Sequence, residues 1–124
     1  MSNTSRDQHR DLDATLLTMD LNLLTDQIKN EDAYLQGDRN AITIFKNQQM
    51  RIVLVALQQG TEMKTHTAPG IISVQVLEGQ IEFTADGSAV ERTAGQALVL
   101  HTGIPHSVKA LQPSVFLLTM SIAN

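Results

Sequence analysis

Residues 70–95 read GIISVQVLEGQIEFTADGSAVERTAG and contain three short apolar runs, separated by the turn signals Glu78-Gly79 and Asp86-Gly87. Valine, isoleucine, phenylalanine and threonine dominate the runs, as is typical of β-strands. Asp86-Gly87 is a two-residue hairpin signal, because both residues tolerate the positive φ that such a turn requires. No helical periodicity interrupts the pattern, so the stretch predicts consecutive antiparallel strands.

The same alternation of apolar runs and turn residues continues on both sides of this stretch. Strands are predicted around Ile42 and Ile44 and over residues 51–57, 71–77, 80–84, 89–93, 97–101, 107–111 and 115–122. Short strands at this regular spacing, with no helix between them, indicate an all-β sandwich or barrel.

The first 40 residues have a different pattern. Residues 1–11 carry no periodic apolar signal, which predicts a disordered tail. Beyond them, apolar residues recur at helical spacing at Leu17, Leu21, Leu24 and Ile28. Asp20 is the predicted N-cap, because its carboxylate can accept an early backbone N–H. We therefore expect a tail at 1–11, a helical lead-in at 12–40 and one β-domain at 41–124.

Composition excludes several classes of protein. The chain has 124 residues, no cysteine and a formal net charge of -4. The absence of cysteine excludes a disulfide framework and a thiolate metal site. The negative net charge and the aromatic content of only 3% argue against binding of nucleic acid. No apolar run is long enough to cross a membrane, and the polar N-terminus lacks the apolar region of a secretory signal. These features together predict a cytoplasmic protein.

Three of the four histidines, His66, His101 and His106, lie at predicted strand–turn junctions. Strand hairpins of a barrel can bring such segments together. Imidazoles that converge at the mouth of a barrel are typical of a metal site or an acid–base site.

At these residues the sequence resembles the cupin family. The glycine and histidine spacings of the two cupin motifs recur at Gly60, His66 and Gly79 and at Gly95, Gly103 and His106. The resemblance covers residues 41–122 and implies a double-stranded β-helix, the small jelly-roll barrel of the cupins. It also implies a homodimer, because cupins commonly dimerise through their sheets.

The resemblance also implies a degenerate metal site. Metal-binding cupins use two histidines and a glutamate from the first motif and a histidine from the second. His66 and His106 match this set, whereas Ala68 and Ile72 stand at the other two positions and have no coordinating atom. We therefore expect either no cofactor or a weakly held divalent metal (Zn, Ni, Mn or Fe), with His101 as the candidate third imidazole beside His66 and His106.

Two classes of function follow. If the segment before His66 is extended, Glu62 and Lys64 share its face, and Lys64 with the histidines forms a small electropositive pocket. The predicted pocket consists of Lys64, His66, Ile72, Val74, Val76, His101 and His106, and it favours a binding protein for a small, anionic ligand. The alternative is a metal-dependent enzyme of the dioxygenase, isomerase or lyase type that uses His66, His106 and His101. A plain interaction domain is the third possibility.

Overall fold

The computed structural model describes residues 10–122, which form two short helices followed by nine strands. The helices are α1 (Leu21–Lys29) and α2 (Asp32–Leu35). The strands are β1 (Arg39–Lys46), β2 (Met50–Leu57), β3 (Glu62–His66), β4 (Gly70–Glu78), β5 (Gln80–Ala85), β6 (Ser88–Thr93), β7 (Ala97–Leu100), β8 (His106–Ala110) and β9 (Ser114–Ile122). Most of the predicted tail at 1–11, including His9, lies outside the described residues. None of the helices described is long and apolar enough to cross a membrane.

The strands form two antiparallel sheets. The five-stranded sheet has the order β1-β2-β9-β4-β7, and the four-stranded sheet has the order β3-β8-β5-β6. Most neighbours in the sheets are distant in sequence, as in the pairs β2–β9 and β5–β8. This is the arrangement of a jelly roll. The predicted all-β jelly-roll barrel with a short N-terminal helix is confirmed.

Local signals place the elements close to their predicted positions. Asp86 and Gly87 both have positive φ, 52° and 76°, and connect β5 to β6 as the hairpin signal predicts. The α1 helix begins at Leu21, because the carboxylate of Asp20 accepts a hydrogen bond of 3.1 Å from the backbone N–H of Leu23. The sequence pattern did not identify α2.

The main core lies between the two sheets and is largely aliphatic. Two phenylalanines, Phe83 and Phe116, are the aromatic members of this apolar cluster among the buried residues described. The other buried members are Val55, Leu57, Ile72, Val74, Val76, Ile81, Val108, Ala110 and Met120.

A second apolar cluster lies on the outer face of the five-stranded sheet, under the helices. Ile28 of α1 and Tyr34 of α2 pack there with Leu54, Ala56 and Val115. Strand β2 therefore has one face in each core, which explains why residues 51–57 are almost continuously apolar instead of alternating.

Candidate functional site

His66 and His106 lie side by side at one end of the four-stranded sheet. They are cross-strand partners on β3 and β8, and their ring centroids are 4.4 Å apart. His106 is only 4% exposed and also stacks on Phe83, at 5.4 Å and with an interplanar angle of 13°. His66 is exposed. One imidazole of the pair is thus fixed between two rings, whereas the other reaches solvent.

The backbone orients both imidazoles in the same way. Nδ1 of His66 lies 2.7 Å from the carbonyl oxygen of Lys64, and Nδ1 of His106 lies 2.8 Å from that of Ile104. Because a carbonyl oxygen only accepts, Nδ1 carries the hydrogen in each ring. Within residues 10–122, no protein group forms a hydrogen bond with Nε2 of either ring. Two Nε2 atoms are therefore left for a ligand.

Strand β3 does not keep the strict alternation on which the prediction for Lys64 rested. Its pairing with β8 shifts between Met63, opposite Val108, and His66, opposite His106. The extra residue of this β-bulge reverses the faces, so Met63 packs against the core on the same face as His66. Lys64 is exposed, as is Glu62. The expectation that these two side chains face the interior with His66 is wrong for this reason.

The predicted apolar lining fills the interior. Ile72 is 3% exposed, Val74 2% and Val76 0%. All three belong to the packed core between the sheets. Side chains this completely enclosed stabilise the barrel by burial and leave little surface for a ligand.

An open cleft lies nearby, between the free edges of the two sheets. It has a volume of about 240 Å³. From the four-stranded sheet it is lined by Phe83, Ala85, Ser88, Val90 and Arg92, and from β7 by Leu98, Val99 and Leu100. Phe83 stacks on His106, and Ala85 is the cross-strand partner of His106. Phe83 and Ala85 therefore stand between His106 and this cleft, so the histidine pair adjoins the cleft without lining it.

Sequence reasoning missed the residues of this cleft. Arg92, Val90 and Leu98 carry no motif, and each was assigned only to a strand. The signal that identifies them is register: Arg92 pairs with Ile81, Val90 with Phe83 and Leu98 with Val74. Cross-strand partners share a face of the sheet, so all three face the interior.

A second cleft, of about 340 Å³, lies behind His106. Two turns, around Asp86-Gly87 and Ile104-Pro105, form much of its wall, together with Thr65, Thr84 and Ser107. Thr84 and Ser107 pair across β5–β8 on the outer face of the sheet. His106 and its cross-strand partner Ala85 also line it, so this cleft reaches from the outer face to the end of the sheet where the histidine pair lies.

His101 does not join the histidine pair. It follows β7, on the five-stranded sheet, and is exposed, whereas His66 and His106 belong to the other sheet. In residues 10–122, no group of three or more histidine, aspartate or glutamate side chains is arranged to hold a metal ion. The residues present therefore do not fit a mononuclear metal centre, which needs three or more protein ligands.

Comparison with solved structures shows the same fold over almost the whole chain. A protein of unknown function from Streptococcus pyogenes is 26% identical, with a TM-score of 0.74, over 92% of this chain and 94% of that one. An RmlC-like cupin from Desulfovibrio desulfuricans is 24% identical, with a TM-score of 0.62, over 93% and 95%. Both alignments extend well beyond the barrel.

A larger enzyme shares only the fold. Salicylate 1,2-dioxygenase from Pseudoaminobacter salicylatoxidans is 20% identical, with a TM-score of 0.71, over 80% of this chain and 31% of that one. None of the curated proteins matches the chain.

The family assignment rests on sequence as well as on fold. The family profile described as the cupin domain matches residues 53–120, which span β2 to β9 and include both His66 and His106. More than half of the chain is covered by this match, and the two-sheet jelly roll agrees with it. The chain therefore belongs to the cupin family.

Proposed function

We propose that this cupin binds a small polar molecule at the His66–His106 pair, in a site without a bound metal. The observation that carries the proposal is the pair of Nε2 atoms without a protein partner in the described part of the chain. In a neutral imidazole with its hydrogen on Nδ1, Nε2 accepts a hydrogen bond from a ligand hydroxyl. In a protonated imidazole, Nε2–H donates to an anion.

The surroundings of the pair suit an organic ligand. Phe83, Val90, Leu98 and Leu100 give the adjoining cleft an apolar surface. Its volume of about 240 Å³ is below the roughly 300–1,000 Å³ typical of pockets for drug-sized molecules. A few polar atoms beside an apolar surface are the usual design of a metabolite site.

The proposal is tested by ligand binding in buffer that contains EDTA. We expect at least one compound from a panel of small carboxylic acids and sugars to raise the melting temperature, since a ligand at 100 times its Kd stabilises the fold by roughly 2.7 kcal/mol. His66→Phe and His106→Phe keep a ring at each position and remove Nε2, so calorimetry should show binding weakened about tenfold or more in each. Lys64→Ala is the matched control and should bind as the wild type does.

Either of two results would overturn the proposal. One is that no compound of the panel binds. The other is that His66→Phe, at an exposed position where misfolding is not expected, binds as tightly as the wild type.

A metal-dependent enzyme is the second candidate, and one observation favours it. Each Nδ1–H donates to a backbone carbonyl, which is how proteins usually orient a histidine that ligates a metal through Nε2. Metal analysis of the purified protein separates the two candidates. Stoichiometric metal that is lost in His66→Ala would favour the enzyme and contradict the first proposal.

A further inference from the structure

Two arginines, Arg51 and Arg92, face the space between the sheets, whereas Lys64 faces outward. Arg51 is the cross-strand partner of Met120, and Arg92 is that of Ile81. Met120 and Ile81 are buried between the sheets, so both guanidinium groups belong to inner faces. Glu82 of β5 and Glu91 of β6 are cross-strand partners on the opposite, outer face, and Lys109 of β8 is the other partner of Glu82 there. The outer face of the four-stranded sheet thus carries charges of both signs.

Arg92 is the arginine that lines the cleft. Its Nε donates to the carbonyl oxygen of Ala97 at 3.2 Å, and its Nη1 donates to that of Glu91 at 2.8 Å. These bonds hold the guanidinium between β6 and the start of β7. Among the residues described, no carboxylate pairs with it. A guanidinium has five N–H donors, and five minus these two leaves three for a ligand.

Arg92 lines one end of the cleft, and the histidine pair adjoins the cleft at Phe83 and Ala85. Across the inner face, His106 pairs with Ala85 and Ala85 with Ser88, whereas Arg92 is four residues further along β6. Four residues correspond to about 13 Å along β6, and the two strand-to-strand steps from His106 to Ser88 add about 10 Å across the sheet. Val90, Leu98 and Leu100 lie between the two ends. The cleft therefore has a cationic end at Arg92 and an apolar body that ends at Phe83 and Ala85, beside the histidine pair.

We propose that the ligand is a small carboxylate, bound through its carboxylate group by Arg92. Its apolar body lies along Val90 and Leu98, and its other end reaches Phe83 and Ala85, beside the histidine pair. The planar donors of arginine suit a carboxylate better than they suit any neutral group, and the two backbone bonds hold them in place before the ligand arrives. This inference rests on the proposed function and names the class of ligand for it.

The experiment compares carboxylates with their amides by calorimetry, in buffer with EDTA. The probes are para-hydroxybenzoate with para-hydroxybenzamide, and hexanoate with hexanamide. We expect wild-type protein to bind a carboxylate about tenfold or more tightly than its amide, and added salt to weaken the binding of the carboxylate only. Arg92→Gln should remove the preference for the carboxylate. Arg51→Gln, which replaces the inner-facing arginine outside the cleft lining, is the matched control and should keep it.

The outcomes separate this inference from the proposed function. If acid and amide bind equally, and His66→Phe weakens both, the carboxylate inference is overturned and the histidine site stands. If Arg51→Gln and not Arg92→Gln removes the preference, the assignment to Arg92 is overturned. If none of the four probes binds, the inference is wrong for this ligand class. Melting curves of the ligand-free variants show whether Arg92→Gln loosens the contact between β6 and β7. If the folded fraction of this variant still prefers the acid over the amide, Arg92 has only a structural role and its assignment is overturned.

Discussion

Single residues decide the chemistry of the histidine pair and of the cleft between β6 and β7, because the strands that carry them have regular β structure apart from the bulge in β3. One extra residue in β3 puts Met63 rather than Lys64 on the face of His66. Ala68 and Ile72 remove two ligand positions of the cupin metal site, and Ile72 joins the core instead. Arg92 and Ser88 are the polar residues that line the cleft in the described part of the chain, and the two imidazoles lie beside it.

Two motif glycines have different physical roles, and substitution separates them. Gly79 and Gly103 both have positive φ, 81° and 76°. A Cβ at Gly79 would clash with the carbonyl oxygen of Pro113 and lie 2.5 Å from Oγ of Ser114, whereas nothing lies within 4 Å of a Cβ at Gly103. We expect Gly103→Ala to cost about 1–2 kcal/mol for its backbone conformation alone. Gly79→Ala should cost about 1–3 kcal/mol more, because the β8–β9 connection must move.

Urea unfolding of the two variants measures this difference in the free energy of unfolding. Equal costs would show that the close approach at Gly79 is relieved without strain.

At the scale of elements, the lead-in helices are part of the fold and not an appendage. Asn40, at the start of β1, is buried and donates from Nδ2 to the carbonyl oxygen of Ile28 at 2.9 Å. Lys29 at the end of α1 forms a 2.8 Å ion pair with Glu78 at the end of β4, and the hydrogen bond to Glu78 raises the pKa of Lys29. Two polar contacts at the C-terminal end of α1 therefore help to hold the helix over the apolar face of the five-stranded sheet.

Substitutions on the two faces of α1 should differ sharply. Ile28 is fully buried against the sheet, whereas Leu23 is 66% exposed. Ile28→Ala should cost about 2–5 kcal/mol, through lost burial and the cavity that remains. Leu23→Ala should change stability by less than about 0.5 kcal/mol. Thermal and urea unfolding of both variants provide the comparison, and a small effect at Ile28 would mean that α1 contributes little to the fold.

For the whole molecule, the five-stranded sheet depends on cover from both sides. Its inner face packs against the four-stranded sheet, and its outer face presents Ile42, Leu54 and Val115 to the helices. The similarity to the proteins from Streptococcus pyogenes and Desulfovibrio desulfuricans extends over more than nine-tenths of each chain, well beyond the barrel. We therefore expect the helices and the barrel to fold as one unit.

Removal of the lead-in tests this unit. A chain that starts at Arg39 would leave the outer cluster of the sheet open to water, and exposed apolar patches of that kind promote association. We expect the shortened protein to elute as aggregates in size-exclusion chromatography or to melt at a markedly lower temperature. A monomer with the melting temperature of the full chain would contradict the role given to the helices.

The fold was largely predictable, because its signals are local. Turn pairs such as Asp86-Gly87, the β-branched runs between them and the Asp20 cap act over a few residues. The candidate site was predictable only in part. The spacing of the glycines and of His66 and His106 identifies the family. The β-bulge near Lys64 is not predictable in the same way, because nothing in the composition of that segment distinguishes it from a regular strand.

The sequence by itself determined that this chain is an all-β cupin, that His66 and His106 occupy two motif positions, and that Ala68 and Ile72 provide no ligand. These are properties of residue type and spacing. Only the tertiary structure decided that His101 stands apart from the pair, that Lys64 faces outward and that Arg92 faces a cleft. The physical reason is register: which face a strand residue presents depends on its partner across the sheet, and a one-residue shift reverses it.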